Sequence, residues 1–494
     1  MQGFALAGIG LIGALAMSPA LADDTGPDVA KTLADATQAY SDGDCPKAVS
    51  LVSPVIAAPG TATGQQVALA YDIVIDCSWQ AKDFAKAVDF AKREIALETS
   101  SDFAWRVLAV ADFNAGRFAA ALDTIDRMLA AGRNSALNSF DPDLLLQLHF
   151  RLERGGDTAS DVRLLAILAN PAYDPTDVVA KIDRSNDYLR ALYARKLLAA
   201  GKRDQARALI DGLAGYNAMI EVAFDPALLA LRGKPVDFRA VVEADLARHR
   251  AMADRYPKSL AAINAMARDL NRLGRYDEAI VLLKATLPRV AISRTFDDDQ
   301  ARLPWTWDAL ADAYGATGKY EAMVDANNQG VEAQGNKPRN VDQTINLAGR
   351  QYRFGRAAEA LATLDQLGPN PDLSPYGAMQ VRDLRGCANA VVGHIDKARA
   401  DLAEAIAHER DDPSTVTSLY LCVGDEAGAA ASLVRRLANP ESRREAMLAV
   451  ADYDDPDPRS PKSPFSSAYD RMLKRPEVVR AIRAAGGQVR IHLP

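Results

Sequence analysis

Four cysteines and five histidines are the side chains in this sequence with the widest chemical repertoire. No C-x-x-C pair occurs, which argues against a thioredoxin-like redox centre. The histidines are scattered, and none stands beside another histidine or a cysteine at a spacing typical of zinc ligands. We therefore expect no metal site. The even number of cysteines leaves two alternatives, which are disulfides and buried free thiols.

Motifs for nucleotide binding or nucleophilic catalysis are also absent from the sequence. Gly8, Gly10 and Gly13 have the G-x-G-x-x-G spacing, but no strand precedes them. Gly318-Lys319 resembles the end of a phosphate-binding loop, yet Tyr320 stands where that loop needs Ser or Thr. No G-x-S-x-G occurs. The sequence therefore predicts no cofactor and no enzyme, with a catalytic site assembled from distant residues as the remaining alternative.

A regular apolar pattern around Gly318 indicates what positions the remaining side chains. Trp307, Leu310, Ala311 and Tyr314 follow an i, i+3, i+4, i+7 spacing, which forms one apolar stripe on a helix. Gly318 then ends that helix and Tyr320 opens a second one. This unit resembles the tetratricopeptide repeat, a helix-turn-helix unit of about 34 residues. A second unit resembles it as closely, with its residues at Trp105, Leu108, Ala109, Gly116, Phe118 and Ala121.

The same turn recurs along most of the chain. In the clear stretches its markers are about 31 to 44 residues apart, as expected for stacked helix pairs that bury each other's apolar sides. The sequence therefore predicts an all-α fold, an α-solenoid of stacked antiparallel helix pairs that form a superhelix. The turn markers are Gly43, Lys82, Gly116, Gly201, Gly274, Gly318, Gly355, Gly393 and Gly424.

The N-terminal residues predict export. Residues 1–22 contain no charged side chain and end in Ala-Leu-Ala, which is typical of a signal peptide cleaved after Ala22. An uncleaved anchor is the alternative. We expect a periplasmic or secreted protein without stable membrane insertion. A net charge of -7 and a pI near 5.5 argue against a nucleic-acid partner.

Composition and turn signals divide the mature chain into four segments. Residues 23–215 are predicted to form an N-terminal helical array, and residues 251–450 a C-terminal array. Residues 216–250, rich in Pro and Gly signals, are predicted to form an irregular joint between them. Residues 451–494 are predicted to form a Pro- and Asp-rich loop followed by a basic terminal helix.

Export makes disulfides the favoured state of the cysteines. Cys45 and Cys77 lie in adjacent repeats, and so do Cys387 and Cys422. Pairing them in this way closes loops of about 32 and 35 residues, each contributing roughly 3 to 4 kcal/mol in the chain-entropy model. Four buried free thiols remain the alternative.

The resemblance implies that the first helix of each pair lines a concave groove that holds a peptide or a helix. Its amide and guanidinium groups would suit hydrogen bonding to a peptide backbone or a carboxylate. The alternative is that these are ordinary helix-surface residues. Carried over by position from the turn glycines, the groove residues are Asn264, Arg268, Asn271, Asp308, Asp312, Asn346, Tyr352 and Arg353.

The sequence thus predicts a non-enzymatic protein- or peptide-binding scaffold in the bacterial periplasm, with a partner it does not identify. An accessory subunit of a cell-envelope assembly that docks through its basic C-terminal tail is the first alternative. An enzyme with a cryptic site is the second. Truncation after Asp455 should distinguish the scaffold from the accessory subunit. A scaffold that binds its partner in the groove should tolerate the loss of the tail, whereas a subunit that docks through the tail should not.

Overall fold

A computed structural model of the chain describes residues 27–97, 100–140, 142–176, 178–183, 185–290, 295–333, 340–368, 371 and 373–494. The predicted signal peptide, residues 1–22, lies outside the described residues. Two compact units divide between Lys181 and Ile182. No helix among the described residues is long and apolar enough to cross a membrane.

Unit 1 is built from helix pairs, as the sequence predicts. A short 3-10 turn, Pro59–Thr61, follows the second helix. The helices of unit 1 are α1 (Pro27–Ser41), α2 (Cys45–Ala57), α3 (Gly64–Gln80), α4 (Phe84–Ile95), α5 (Asp102–Asn114), α6 (Phe118–Ala130), α7 (Asn134–Asn138), α8 (Pro142–Arg154), α9 (Thr158–Ala169) and, across the division, α10 (Val178–Asp183).

Unit 2 also consists mainly of helices and includes a short parallel two-stranded ladder, β1 (Asp452–Tyr453) with β2 (Arg490–Ile491). Its helices are α11 (Ser185–Ala199), α12 (Arg203–Asp211), α13 (Tyr216–Ala223), α14 (Pro226–Arg232), α15 (Phe238–Arg255), α16 (Leu260–Arg272), α17 (Tyr276–Val290), α18 (Asp299–Ala316), α19 (Tyr320–Glu332), α20 (Val341–Arg353), α21 (Ala357–Asp365), α22 (Pro375–Val391), α23 (Ile395–Ala407), α24 (Pro413–Cys422), α25 (Glu426–Ala438), α26 (Pro440–Ala449), α27 (Ser466–Leu473) and α28 (Pro476–Ala484).

The turns between paired helices follow the sequence signal. Gly116 and Gly318 both adopt φ +73°, the left-handed conformation that glycine takes without a steric penalty. Lys82 stands at the equivalent turn with φ 61°, and it is the only non-glycine residue at positive φ in the described chain. The predicted small residues Ala109 and Ala311 are buried where two helices approach each other.

The first helices of unit 2 lie on the inside of its curve. Going from α16 to α24, each first helix packs on the next first helix, whereas the second helices from α17 to α25 make far fewer contacts with one another. Helices that are closer together line the concave side of such a stack. We call the solvent-accessible side of α16, α18, α20, α22 and α24 the inner face.

Residues 216–250, predicted as an irregular joint, are mostly helical and belong to the core of unit 2. Pro226 begins α14 at a position where a missing N–H is tolerated, and Gly233 ends it at φ +78°. Phe238 of α15 is 1% exposed. The Pro and Gly signals in this stretch therefore mark the ends of short helices, and the division between compact units lies earlier, at Lys181.

Both cysteine pairs are joined as predicted. Cys45 is bonded to Cys77 with the Cα atoms 5.5 Å apart, and Cys387 to Cys422 with 5.0 Å. The first bond ties α2 to α3 and the second ties α22 to α24. Each therefore holds two successive repeats together.

The C-terminal segment is integrated into unit 2. Met472, Val478 and Ile491 are each 0% exposed and lie in the same hydrophobic cluster as Phe238 of α15. The β1–β2 ladder holds the last residues of the chain beside the end of α26. The segment predicted as a loop and a terminal helix therefore also supplies part of the core.

Candidate functional site

Two predicted groove asparagines link one first helix of the inner face to the next. The Asn264 side chain of α16 donates to the Arg302 carbonyl of α18 at 3.2 Å. Asn271, two turns further along α16, donates to the Ala309 carbonyl at 3.1 Å. Both bonds span 38 residues, close to the length of one repeat. These amides therefore set the spacing of the helices that form the face.

A network of ion pairs around the buried Arg350 continues the link from α18 to α20. The Asn346 amide donates to Asp308 at 3.0 Å. Arg350 reaches the carboxylates of Asp308 and Asp312 at 2.9 and 2.7 Å, and it also donates to Asn327 of α19. Arg350 lies one turn after Asn346 on the same helix face and is not among the residues predicted from the sequence. That i, i+4 spacing was the available signal.

Electrostatics couple the members of this network. Burial raises the pKa of Asp308, and Arg350 opposes that rise. Burial by itself would lower the pKa of Arg350, but Asp312 and Asp308 outweigh it and the pKa is raised. The two carboxylates therefore stabilise the charged form of the Arg350 guanidinium. This network fixes the helices and leaves little of Asp308 for a ligand.

Three of the predicted residues present charge to solvent on this face. Arg268 and Arg353 are exposed, and the Asp312 side chain is 50% exposed. Desolvation by the surrounding helices lowers the pKa of Arg353 even though the side chain is accessible, while Asp312 opposes that shift. Charged groups of both signs therefore stand on this face, and the partial desolvation of Arg353 strengthens its contacts with a polar ligand.

Tyr352, also predicted to line the groove, is a core residue. Its side chain is 8% exposed, and its hydroxyl lies 4.0 Å from the Cys422 sulfur. Burial raises the pKa of the phenol well above its ordinary value. Tyr352 therefore supports the inner face from beneath and offers a ligand little surface.

An opening of about 430 Å³ lies at the N-terminal ends of α18 and α20. Trp305 is 43% exposed there, and Asp298 caps α16 by accepting from the backbone N–H of Leu260 at 2.6 Å. Asp297 and Asp342 add two exposed carboxylates. No grouping of His, Cys, Asp and Glu among the described residues has the geometry of a metal site.

Unit 1 contains a buried carboxyl pair that no motif in the sequence indicates. Asp72 of α3 accepts from the Ser101 hydroxyl at 2.7 Å, and Glu94 of α4 accepts from the Ser101 N–H at 2.6 Å. Burial is the main cause that raises the pKa of both groups, and it brings Glu94 to about 7. The folded state therefore binds protons more tightly than the unfolded chain.

We expect the free energy of unfolding of unit 1 to fall as the pH rises through the range in which this pair loses its protons. The contribution is complete below the unfolded value of 4.5 and is lost as pH approaches about 7, because the native carboxyls must then ionise while buried. Glu94→Gln should flatten this dependence and add on the order of 2 kcal/mol at pH 8. Asp89→Asn, at an exposed carboxylate on the same helix, is the control. Urea unfolding of both variants and of the wild type from pH 5 to 8 measures the free energy of unfolding. If it depended on pH in Glu94→Gln as it does in the wild type, Glu94 would not be the group responsible.

Comparison with known proteins gives no sequence relative. No family model matches the chain, and no curated protein matches it significantly. Three solved structures similar to it are the APC/C hetero-tetramer Cut9-Hcn1 (11% identity, 92% of this chain and 86% of that chain, TM-score 0.30), the P58(IPK) TPR domain (14%, 80% and 97%, 0.22) and yeast Tom70 (12%, 92% and 94%, 0.32). Values this low carry no argument about function.

The geometry of the helix pairs themselves decides the fold. In α18 and α19, Ala311 is buried at the helix crossing, Gly318 makes the left-handed turn and Tyr320 begins the second helix. The helix pairs form an all-α solenoid with the turn that the resemblance to the tetratricopeptide repeat predicts. First helices of this fold line the inner face in unit 2, and the asparagine links and the Arg350 network hold these repeats in register.

Proposed function

We propose that this protein is a non-enzymatic scaffold that binds a protein or peptide on the inner face of unit 2. The observation that carries the proposal is the exposed pair Arg268 and Arg353 on first helices that are locked together by buried polar contacts. A rigid face of this kind loses little conformational entropy on binding. Guanidinium groups there can donate to the carboxylates and backbone carbonyls of a partner.

We further propose that the protein works in the bacterial periplasm. Disulfides persist in oxidising compartments and are rare in the cytosol, and all four cysteines of this chain are paired. The uncharged, apolar residues 1–22 add support as a signal peptide.

Docking through a basic C-terminal tail has less support. Arg471 pairs with Glu426 of α25, and Arg490 pairs with Asp452 and Asp454. Several of the tail's charges are therefore used within unit 2.

Charge reversal on the inner face should abolish binding without unfolding the protein. The double variant Arg268→Glu, Arg353→Glu should lower recovery of the partner from a periplasmic extract by about tenfold or more, the equivalent of roughly 1.4 kcal/mol. Both side chains are exposed, so the melting temperature should change by no more than about 2 °C.

Arg399→Glu is the matched control, since that exposed arginine lies on the second helix α23. Quantitative mass spectrometry of proteins crosslinked to the bait provides the readout. Equal recovery by the wild-type protein and the double variant would contradict binding on the inner face.

A further inference from the structure

The chain carries an extended segment that lies across its own repeats. Residues 454–465, here called the strap, run from the end of β1 to the start of α27 and form neither helix nor strand. They read Asp-Asp-Pro-Asp-Pro-Arg-Ser-Pro-Lys-Ser-Pro-Phe, with four prolines. Proline fixes its own φ and removes a backbone donor, so such a segment favours an extended conformation that other chains also adopt when they bind as peptides.

The strap contacts three successive repeats near the turns of their helix pairs. Arg459 approaches Asp277 of α17 at 3.4 Å, and its carbonyl oxygen packs on Gly318, where an added Cβ would lie 2.5 Å away. The Ser463 side chain lies near the Tyr352 hydroxyl of α20. These partners lie on α17, on the turn after α18 and on α20. The strap therefore follows the turn-side margin of the inner face.

Phe465 ends the strap in an apolar notch. It packs against the hydrophobic cluster that includes Tyr352 and the Cys387–Cys422 pair. The strap thus offers its own repeats a basic side chain, a close backbone contact and an aromatic anchor. A peptide held by an extended groove makes the same three kinds of contact.

The middle of the strap is held weakly, whereas both of its ends are held firmly. None of residues 454–464 is buried, and Arg459 and Asp277 are 47% and 65% exposed in their ion pair. Exposed pairs of this kind add little stability. At one end, β1 pairs with β2, where Ile491 is fully buried. Beyond the other end, Met472 of α27 is fully buried. The strap can therefore leave the repeats by local opening while the core of unit 2 stays folded.

We propose that the strap is an internal ligand of the repeats, held along the turn-side margin of the inner face, and that the partner is a peptide of the same chemistry. This inference rests on the proposed function. The partner class is an extended, proline-containing segment with a basic residue that reaches Asp277 and an aromatic residue that fills the Phe465 notch. Because the strap is tethered at both ends, its effective concentration is on the order of millimolar, and a partner binds only by displacing it.

A pair of glycine variants tests the contact between strap and repeats. Gly318 and Gly355 share φ +73°, but only Gly318 touches the strap, since nothing lies within 4 Å of a Cβ added at Gly355. The methyl group of Gly318→Ala should push the strap away from the repeats, so trypsin should cleave after Arg459 or Lys462 about fivefold faster than in Gly355→Ala. This factor corresponds to a change of roughly 1 kcal/mol in the local opening of the strap. Equal cleavage rates in the two variants would overturn the contact.

A peptide experiment tests the ligand role. In one variant of the full-length chain, residues 455–465 are replaced by an equally long glycine-serine segment, which leaves β1 and α27 in place. A labelled synthetic peptide of residues 454–465 should bind this variant at least about tenfold more tightly than wild type, because the tethered strap no longer competes. The same peptide with Arg459→Glu and Phe465→Ala should not bind.

Absence of peptide binding to the strap variant, or equal binding to wild type, would overturn the proposal. That result is distinct from failure of the inner face as a binding site. Binding on the inner face is tested separately, by comparing recovery of the partner by the wild-type chain and by the Arg268→Glu, Arg353→Glu variant. That experiment does not use the peptide.

Discussion

Truncation after Asp455 should prevent stable folding of unit 2. It removes Met472, Val478, Ile491 and Leu493, each at most 3% exposed in the main cluster. Fully burying one such side chain contributes roughly 1.5 to 3 kcal/mol, so four approach the whole stability of a typical domain. We expect the unfolding transition of unit 2 to fall by more than about 10 °C or to disappear.

The glycine-serine strap variant is the control for this truncation, because it alters the chain at the same point yet keeps all four core side chains. Differential scanning calorimetry should show its unit 2 transition close to wild type. A truncated chain that melts like wild type would show that the tail does not contribute to the core. This expectation reverses the one drawn from the sequence, in which a groove binder tolerates loss of the tail.

Arg350→Ala should be the most destabilising single substitution on the inner face. Arg350 is 5% exposed and compensates the carboxylates of Asp308 and Asp312. Removing Arg350 leaves the mostly buried Asp308 carboxylate uncompensated, and loss of one partner of a buried ion pair costs about 3 to 5 kcal/mol. Urea unfolding at pH 7 measures the loss.

Arg353→Ala provides the matched control, three residues away on the same helix but exposed, and it should change the free energy of unfolding by about 0.5 kcal/mol or less. The pH dependence gives a second check. Burial already raises the pKa of Asp308, and loss of Arg350 should raise it further. The Arg350→Ala deficit should therefore shrink as pH falls from 7 to 5, because Asp308 takes up a proton. A deficit that is small or independent of pH would contradict the network.

The predicted groove residues fall into two groups, those that hold the helices together and those that are exposed to solvent. Asn264, Asn271 and Asn346 bond to neighbouring first helices, and Tyr352 packs in the core. Arg268 and Arg353 carry the binding proposal. A position counted from the turn glycine identifies the side of the helix on which a residue lies. It does not determine whether the next helix is close enough to take the side chain as its own hydrogen-bond partner.

The sequence by itself determined the helix pairs and their turns and favoured the pairing of the cysteines, because these features depend on residues a few positions apart or on adjacent repeats. The apolar stripe ending at Tyr314, the turn at Gly318 and the small Ala311 together specify one pair wherever it stands in the chain.

Only the tertiary structure decided the role of Arg350, the core position of the tail and the path of the strap. Arg459 meets Asp277 across 182 residues, and Arg444 meets Glu221 across 223. Such contacts depend on the curvature of the stack, which results from the small rotation between each repeat and the next, added over many repeats. No local pattern of residue types determines this total rotation. The long-range contacts can therefore be identified only in the packed structure.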